Sequence, residues 1–191
     1  MYLKRVFTLF ALPLFLASSL HAQELLKAPK QYSVEAGYRY MLKNDLVPGG
    51  ATSGYTLLLD YAWQLSGYTT AKKPIYLSVP LAYTWFPGTN GATGMRMLSY
   101  GWTVRHMLTR DRAVNPFLGY ALLLNQVSVD GVEGQLFGHQ TRFEAGVNFG
   151  GSARLKPYIK VEYSMSRHPQ LNDPESYWLH AVELKAGVRI R

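Results

Sequence analysis

Two short runs carry residue types able to do nucleophilic chemistry. Ser164-Met165-Ser166-Arg167-His168-Pro169 holds two hydroxyls and an imidazole, and His139-Gln140-Thr141 places an imidazole just ahead of a hydroxyl. A hydroxyl attacks only when a base takes its proton and a third group orients that base. Near His139 the first acid is Glu144, which alternation puts on the opposite face; His168 stands beside Pro169 in a segment read as loop. A metal reading fares no better, since His21, His106, His139, His168 and His180 show no ligand spacing. Neither a metal nor any other cofactor is expected. A second chemical set is larger: Glu35, Arg39, Asp60, Arg105, Arg142, Glu144, Lys160, Glu162, Glu183, Lys185 and Arg189 all fall in the middle of apolar, alternating segments.

Those segments have a period of two. In residues 55–66, Tyr55, Leu57, Leu59, Tyr61, Trp63 and Leu65 form one set, with Thr56, Leu58, Asp60, Ala62, Gln64 and Ser66 between them. Side chains alternate faces only in a β-strand, so this pattern predicts an extended segment with one apolar face. The same reading predicts strands over 32–41, 75–86, 96–108, 116–126, 136–149, 155–165 and 178–190, which makes eight. Pro80 interrupts the third, where a missing N–H predicts a bulge or local break. Between the strands lie turn-forming clusters: residues 43–54, 87–93, 128–134 and 166–176 on one side, and shorter turns on the other.

Lys4 and Arg5 precede the apolar run 6–16 and the small residues before Leu20-His21-Ala22, the pattern of a cleaved secretory signal. The expected division is 1–22 signal peptide and 23–191 a single domain. Export permits disulfides, yet there is no cysteine, so stability must come from elsewhere. The formal charge of +8 falls by two when the signal leaves, and without a basic cluster no nucleic acid partner is expected. Anionic lipid suits the remaining charge better.

Which face points inward separates a soluble, lipocalin-like lipid carrier from a membrane barrel. The polar faces hold Gly37, Gly101, Gly119, Ala121, Gly138, Gly146 and Gly187, small residues suited to a crowded interior, together with a near balance of cations and anions able to pair there. On the apolar faces, Tyr40, Tyr55, Trp85, Phe137, Tyr163 and Trp178 gather near one end, with Tyr32, Trp63 and Phe149 near the other. Two aromatic levels are what a lipid interface selects. A charge at mid-bilayer would cost about 2 to 4 kcal/mol, and the outward charges Arg96 and His106 sit at strand ends. The expected architecture is therefore all-β: an eight-stranded antiparallel up-and-down transmembrane β-barrel.

On this pattern the chain resembles the small eight-stranded outer-membrane β-barrel proteins of Gram-negative bacteria. The resemblance implies a bacterial outer-membrane location among lipids and lipopolysaccharide, insertion by the barrel assembly machinery, and extracellular loops at 43–54, 87–93, 128–134 and 166–176 that meet any external partner. Many of those proteins end on an aromatic residue, whereas this chain ends Val188-Arg189-Ile190-Arg191. A barrel this narrow is filled by its own side chains, so a diffusion pore is disfavoured. The expected task is structural or surface-interacting, in adhesion or envelope integrity. The enzymatic alternative within that family is lipid A deacylation, where a His precedes a Ser by two residues. Here Ser166 and His168 reverse that order and His139 precedes a Thr, so His139, Ser164, Ser166 and His168 are weak catalytic candidates and no catalytic site is assigned. Arg96, Arg167, His139 and His180 are the expected lipopolysaccharide contacts.

Overall fold

The computed structural model describes residues 29–47, 49–65, 73–88, 92–109, 112–151, 153–169 and 176–191. The signal peptide expected over 1–22 lies outside the described residues, as do parts of the expected loops (48, 89–91 and 170–175). Eight strands follow one another: β1 (Lys30–Asn44), β2 (Ser53–Gln64), β3 (Ile75–Phe86), β4 (Met95–Met107), β5 (Val114–Val129), β6 (Leu136–Phe149), β7 (Leu155–Pro169) and β8 (Ser176–Ile190). Each pairs antiparallel with its sequence neighbours, and β8 returns to β1 through Tyr32↔Ile190 to Tyr40↔Val182, closing the barrel. Closure leaves no sheet edge, so every strand's backbone groups find partners without water.

The strands tilt, as closure demands. One row of paired residues runs Val34, Leu59, Leu81, Tyr100, Leu124, His139, Arg167 and Trp178. It starts in the middle of β1 and ends at Trp178, whose carbonyl accepts the Asp45 N–H beyond the top of β1. Residues level in height are therefore far apart in register, which decides who meets whom in the lumen.

Alternation places the apolar set outside. Leu57 (55% exposed), Leu59, Val161, Leu184 and their equivalents face outward, whereas Glu35, Lys160 and Glu183 are buried within. A soluble carrier with a greasy interior is ruled out by this polarity. From Val34 to Tyr40, Tyr55 to Trp63, Ile75 to Trp85 and Ile159 to Tyr163, no outward position carries an ionised group. Trp102, absent from the two expected aromatic levels, packs its ring 6.0 Å from Trp63 and so joins the lower one through Tyr61 and Tyr32. Tyr100 and Tyr120 stay outward between the levels.

Two local expectations meet the structure differently. At Pro80, of the bulge or local break expected, the break is what forms: β3 is continuous and Asp60↔Pro80 keeps register with β2, but the β3–β4 ladder skips Val79 and Pro80 and resumes in the register it had before, from Ser78↔Thr103 to Leu81↔Tyr100. The missing N–H costs only a local ladder bond. The bulge lies instead in β1, between Met41 and Lys43. Second, residues 166–169 are not loop. β7 runs on to Pro169, and the extra length carries Ser166 and His168 into the interior.

Candidate functional site

The centre of the lumen is an ion-pair lattice. Lys160 extends from β7 and its Nζ lies 2.7 Å from Glu35, 3.0 Å from Glu144 and 2.8 Å from Glu162. Lys185 reaches Glu162 at 2.7 Å and Glu183 at 3.2 Å. Arg105 bridges Glu144 (2.7 Å) and Asp60 (3.3 Å), and Arg142 approaches Glu162 at 3.6 Å while donating to Thr103. All five carboxylates thus meet a cation. Two cations differ: Arg39 faces Glu183 across β1–β8 but donates to Ser164 Oγ at 2.7 Å, and Arg189 lies lower, donating to Asn148 Oδ1 at 2.6 Å. Tyr158 donates its hydroxyl hydrogen to Glu35. Breaking one partner of such a buried pair strands the other, which is why a lattice that shares carboxylates between cations is self-consistent only when complete.

The lumen glycines make that lattice fit. A Cβ on Gly37 would stand 2.5 Å from Lys185 Cγ, on Gly119 2.7 Å from Glu144 Oε1, and on Gly187 3.0 Å from both Glu35 and Tyr158. Each glycine faces a long ionic or phenolic side chain, so their role is room.

Above the lattice an apolar layer fills the barrel. Met41, Phe86, Met95, Met97, Val127, Leu179 and Ala181 pack together, with Leu46 and Val129 against them; Phe86 and Met97 are 0% exposed. A smaller layer of Ala62, Tyr76, Met107, Phe117 and Tyr158 lies toward the opposite end. These residues sit on the polar-face register of their strands, and single-strand alternation gives no sign that they converge.

The catalytic candidates are dispersed by these positions. Ser164 and Ser166 are buried in the lumen, taken by Arg39 and by Asn125 Nδ2 (2.9 Å). His168 is wholly buried beside Gly138, and both ring nitrogens lack a hydrogen-bond partner. None of the three opens onto the outer face of the barrel. His139 is outward, but Arg167 is its cross-strand neighbour and Glu144 is inside.

The four expected lipopolysaccharide contacts separate into two places. Arg96 stands on β4 and is ion-paired with Asp130 at 3.1 Å. His139 and Arg167 pair across β6–β7; Arg167 donates to Ser176 Oγ at 3.0 Å and lies 5.8 Å over the Trp178 ring. His180 follows on β8, sharing a 2.9 Å hydrogen bond with the Tyr163 hydroxyl, and Lys43 is its neighbour on β1. The result is an outward band of cations, imidazoles and rings across β6, β7, β8 and β1. At its edge Lys43 contacts Asp45 at 2.8 Å, a hydrogen bond that holds the Asp45 carboxyl below its ordinary range.

No protein-family model matches the chain, and no curated protein matches it in sequence. Its backbone is matched by solved structures. Neisserial surface protein A (NspA) superposes with a TM-score of 0.65 at 18% identity, over 84% of this chain and 96% of the other. The outer-membrane enzyme PagL gives 0.54 at 18% identity, over 80% and 97%. The outer-membrane protein OprG from Pseudomonas aeruginosa gives 0.50 at 9% identity, over 85% and 96%. The chain has the fold of the small outer-membrane β-barrels. That fold, with its apolar outer surface and enclosed charges, assigns the protein to the bacterial outer membrane.

Proposed function

We propose that this barrel is a structural and surface-interaction component of the outer membrane, serving envelope integrity or adhesion through its outer face and extracellular loops rather than through a pore. The observation that carries the reading is the filled lumen: an apolar layer above a paired lattice leaves no channel along the axis among the described residues. In this reading residues 1–22 are the removed signal, the assembly machinery inserts the barrel, and both termini face the periplasm. Purified barrel in a planar lipid bilayer is expected to give no conductance steps; a stable ohmic conductance would contradict it.

The band of His139, Arg167, Trp178, His180 and Lys43 suits lipopolysaccharide phosphates, because a guanidinium fixed by a ring and a hydroxyl offers its remaining donors toward the outer leaflet. Cells carrying Arg167→Ala with Arg96→Ala are expected to take up a hydrophobic dye faster, with most of the effect from Arg167, since Arg96 already has Asp130. Lipopolysaccharide incubated with the barrel is expected to keep all its acyl chains by mass spectrometry, because Ser164, Ser166 and His168 lie inside and His139, which is outward, stands beside Arg167 with Glu144 on the other face.

A further inference from the structure

The outer ends of β7 and β8 are joined to the rest of the barrel unequally. Among the described residues the β6–β7 ladder ends at His139↔Arg167, whereas the β7–β8 ladder continues through His168↔Tyr177 to Pro169↔Ser176. These last two rows stand as a two-stranded extension, a form only marginally stable by itself in water. On the β1 side it is held at Trp178, whose carbonyl accepts the Asp45 N–H and whose own N–H donates to the Asp45 carboxylate at 3.3 Å. On the β6 side it is held by the His168 ring, which lies over Gly138: a Cβ there would stand 2.5 Å from His168 Cδ2.

That contact uses a polar ring as if it were an apolar one. His168 is 0% exposed, and neither ring nitrogen has a hydrogen-bond partner. A neutral imidazole so placed has given up its water without replacement, and an imidazolium would give up far more. By register its inward neighbours are Asn125 and Val127 on β5, Gly138 and Gln140 on β6, and Tyr177 and Leu179 on β8; of these only the Tyr177 hydroxyl titrates. On the outer face of β6 and β7 stand His139 and Arg167, which are no counter-ions for a cation. At the rim Asp45 is paired with Lys43 and Asp130 with Arg96, and Glu133 is exposed in the β5–β6 turn. Deeper in the lumen Glu162 and Glu183 lie three rows farther down the β7–β8 ladder, both in contact with Lys185. Among the described residues, then, no carboxylate is placed to meet a charge on His168.

We propose that His168 is an acid-released latch for the outer ends of β7 and β8. Uncharged and packed over Gly138, the ring fastens the extension to β6; once protonated it has no place in the interior and leaves for the aqueous side. Only the released form binds the extra proton. The latched form is therefore favoured at and above neutral pH and loses ground as pH falls below about 6.5, the ordinary value of an imidazole in water. Below that point the ratio of latched to released molecules falls by up to about tenfold per pH unit. Release uncovers the apolar layer at Leu179 and Val127, which gives the barrel a different outer surface in acid surroundings. The hydrogen bonds between Asp45 and Trp178 keep the β8 side anchored, so the ends swing outward without unfolding the strands below.

A nitroxide label at Pro169→Cys, an exposed position in a chain without native cysteine, tests this in the folded barrel in a lipid bilayer between about pH 8 and pH 4.5, a range that brackets the ordinary imidazole value. A mobile spectral component is expected to grow reversibly as pH falls below about 6.5, and to be absent at every pH when His168→Phe keeps a ring over Gly138 that cannot titrate. A label at Val161→Cys, on the outward middle of the same strand, is expected to show no change. If His168→Phe does not fold, as judged by heat-modified gel mobility, Gly138→Ala reads the same contact from the other side. Its methyl crowds the ring, and the mobile component at position 169 is expected already at neutral pH. An unchanged spectrum at position 169 down to the acid end of the range would overturn the proposal. So would an equal acid response in folded His168→Phe, or a Gly138→Ala spectrum identical to that of the parent at every pH.

Discussion

Strands β7 and β8 set like charges directly opposite each other at two heights, and the rows beside the two pairs differ in kind. In the middle of the lumen Lys160 faces Lys185, but the next inward row is Glu162 facing Glu183, so each ammonium reaches diagonally to a carboxylate within 3.2 Å. At the mouth Lys156 faces Arg189, and the next inward row is Tyr158 facing Gly187, which supplies a ring and space but no negative charge. The same cross-strand pairing thus lies beside an acidic row in one place and beside an aromatic row in the other. Burial of charge inside a barrel does not by itself mark function.

Breaking the central row should have the largest effect. Lys160→Met leaves Glu35, Glu144 and Glu162 converging without their shared ammonium and is expected to lower stability by about 3 to 5 kcal/mol, read by urea unfolding in detergent with tryptophan fluorescence. A loss under about 1 kcal/mol would mean that the lattice is hydrated and behaves like a set of surface pairs. Glu183→Ala is milder because Lys185 keeps Glu162 at 2.7 Å. It should cost about 1 to 3 kcal/mol and lower the temperature of the heat-modified mobility shift.

The mouth predicts the reverse sign. Gln31 lines a cleft there with Lys156, Arg189 and Arg191 and is buried, so Gln31→Glu adds a carboxylate of nearly the same shape among three cations. Stability is expected to rise by about 1 kcal/mol; a destabilised variant would show that the mouth is already neutralised. The smallest effect concerns the outer rim. Lys43 lowers the folded-state pKa of Asp45, so this contact contributes above the ordinary carboxylate value of 3.8 and is lost as pH falls through the lower folded value. Asp45→Asn should therefore approach the wild type in melting once pH has fallen through the lowered Asp45 value and differ from it, slightly, only at higher pH.

Strand number, strand order and the direction of the apolar face were all legible from alternation, because a closed barrel between lipid and a polar lumen imposes period two on every strand. The ends of β7 were not. Pro169 and the turn residues after it read as loop, whereas a proline at the last position of a strand forfeits only a terminal ladder bond, and the strand continues through His168. That extension turned a loop histidine into a buried one. The identities of ion partners were equally hidden: Glu35 meets Lys160 through the β8–β1 seam, a contact fixed by closure and tilt rather than by any spacing within a segment. The four rim residues grouped by height in the sequence share a level but not a direction, since level says nothing about position around the barrel.

The orientation of the two faces can be measured without interference, because the chain has no native cysteine. Nitroxide labels at Leu57→Cys, Val161→Cys and Val182→Cys in a lipid bilayer should relax strongly with dissolved oxygen and weakly with a water-soluble nickel chelate. Strong nickel and weak oxygen relaxation at these three positions would place water on the apolar face and contradict the membrane-spanning barrel.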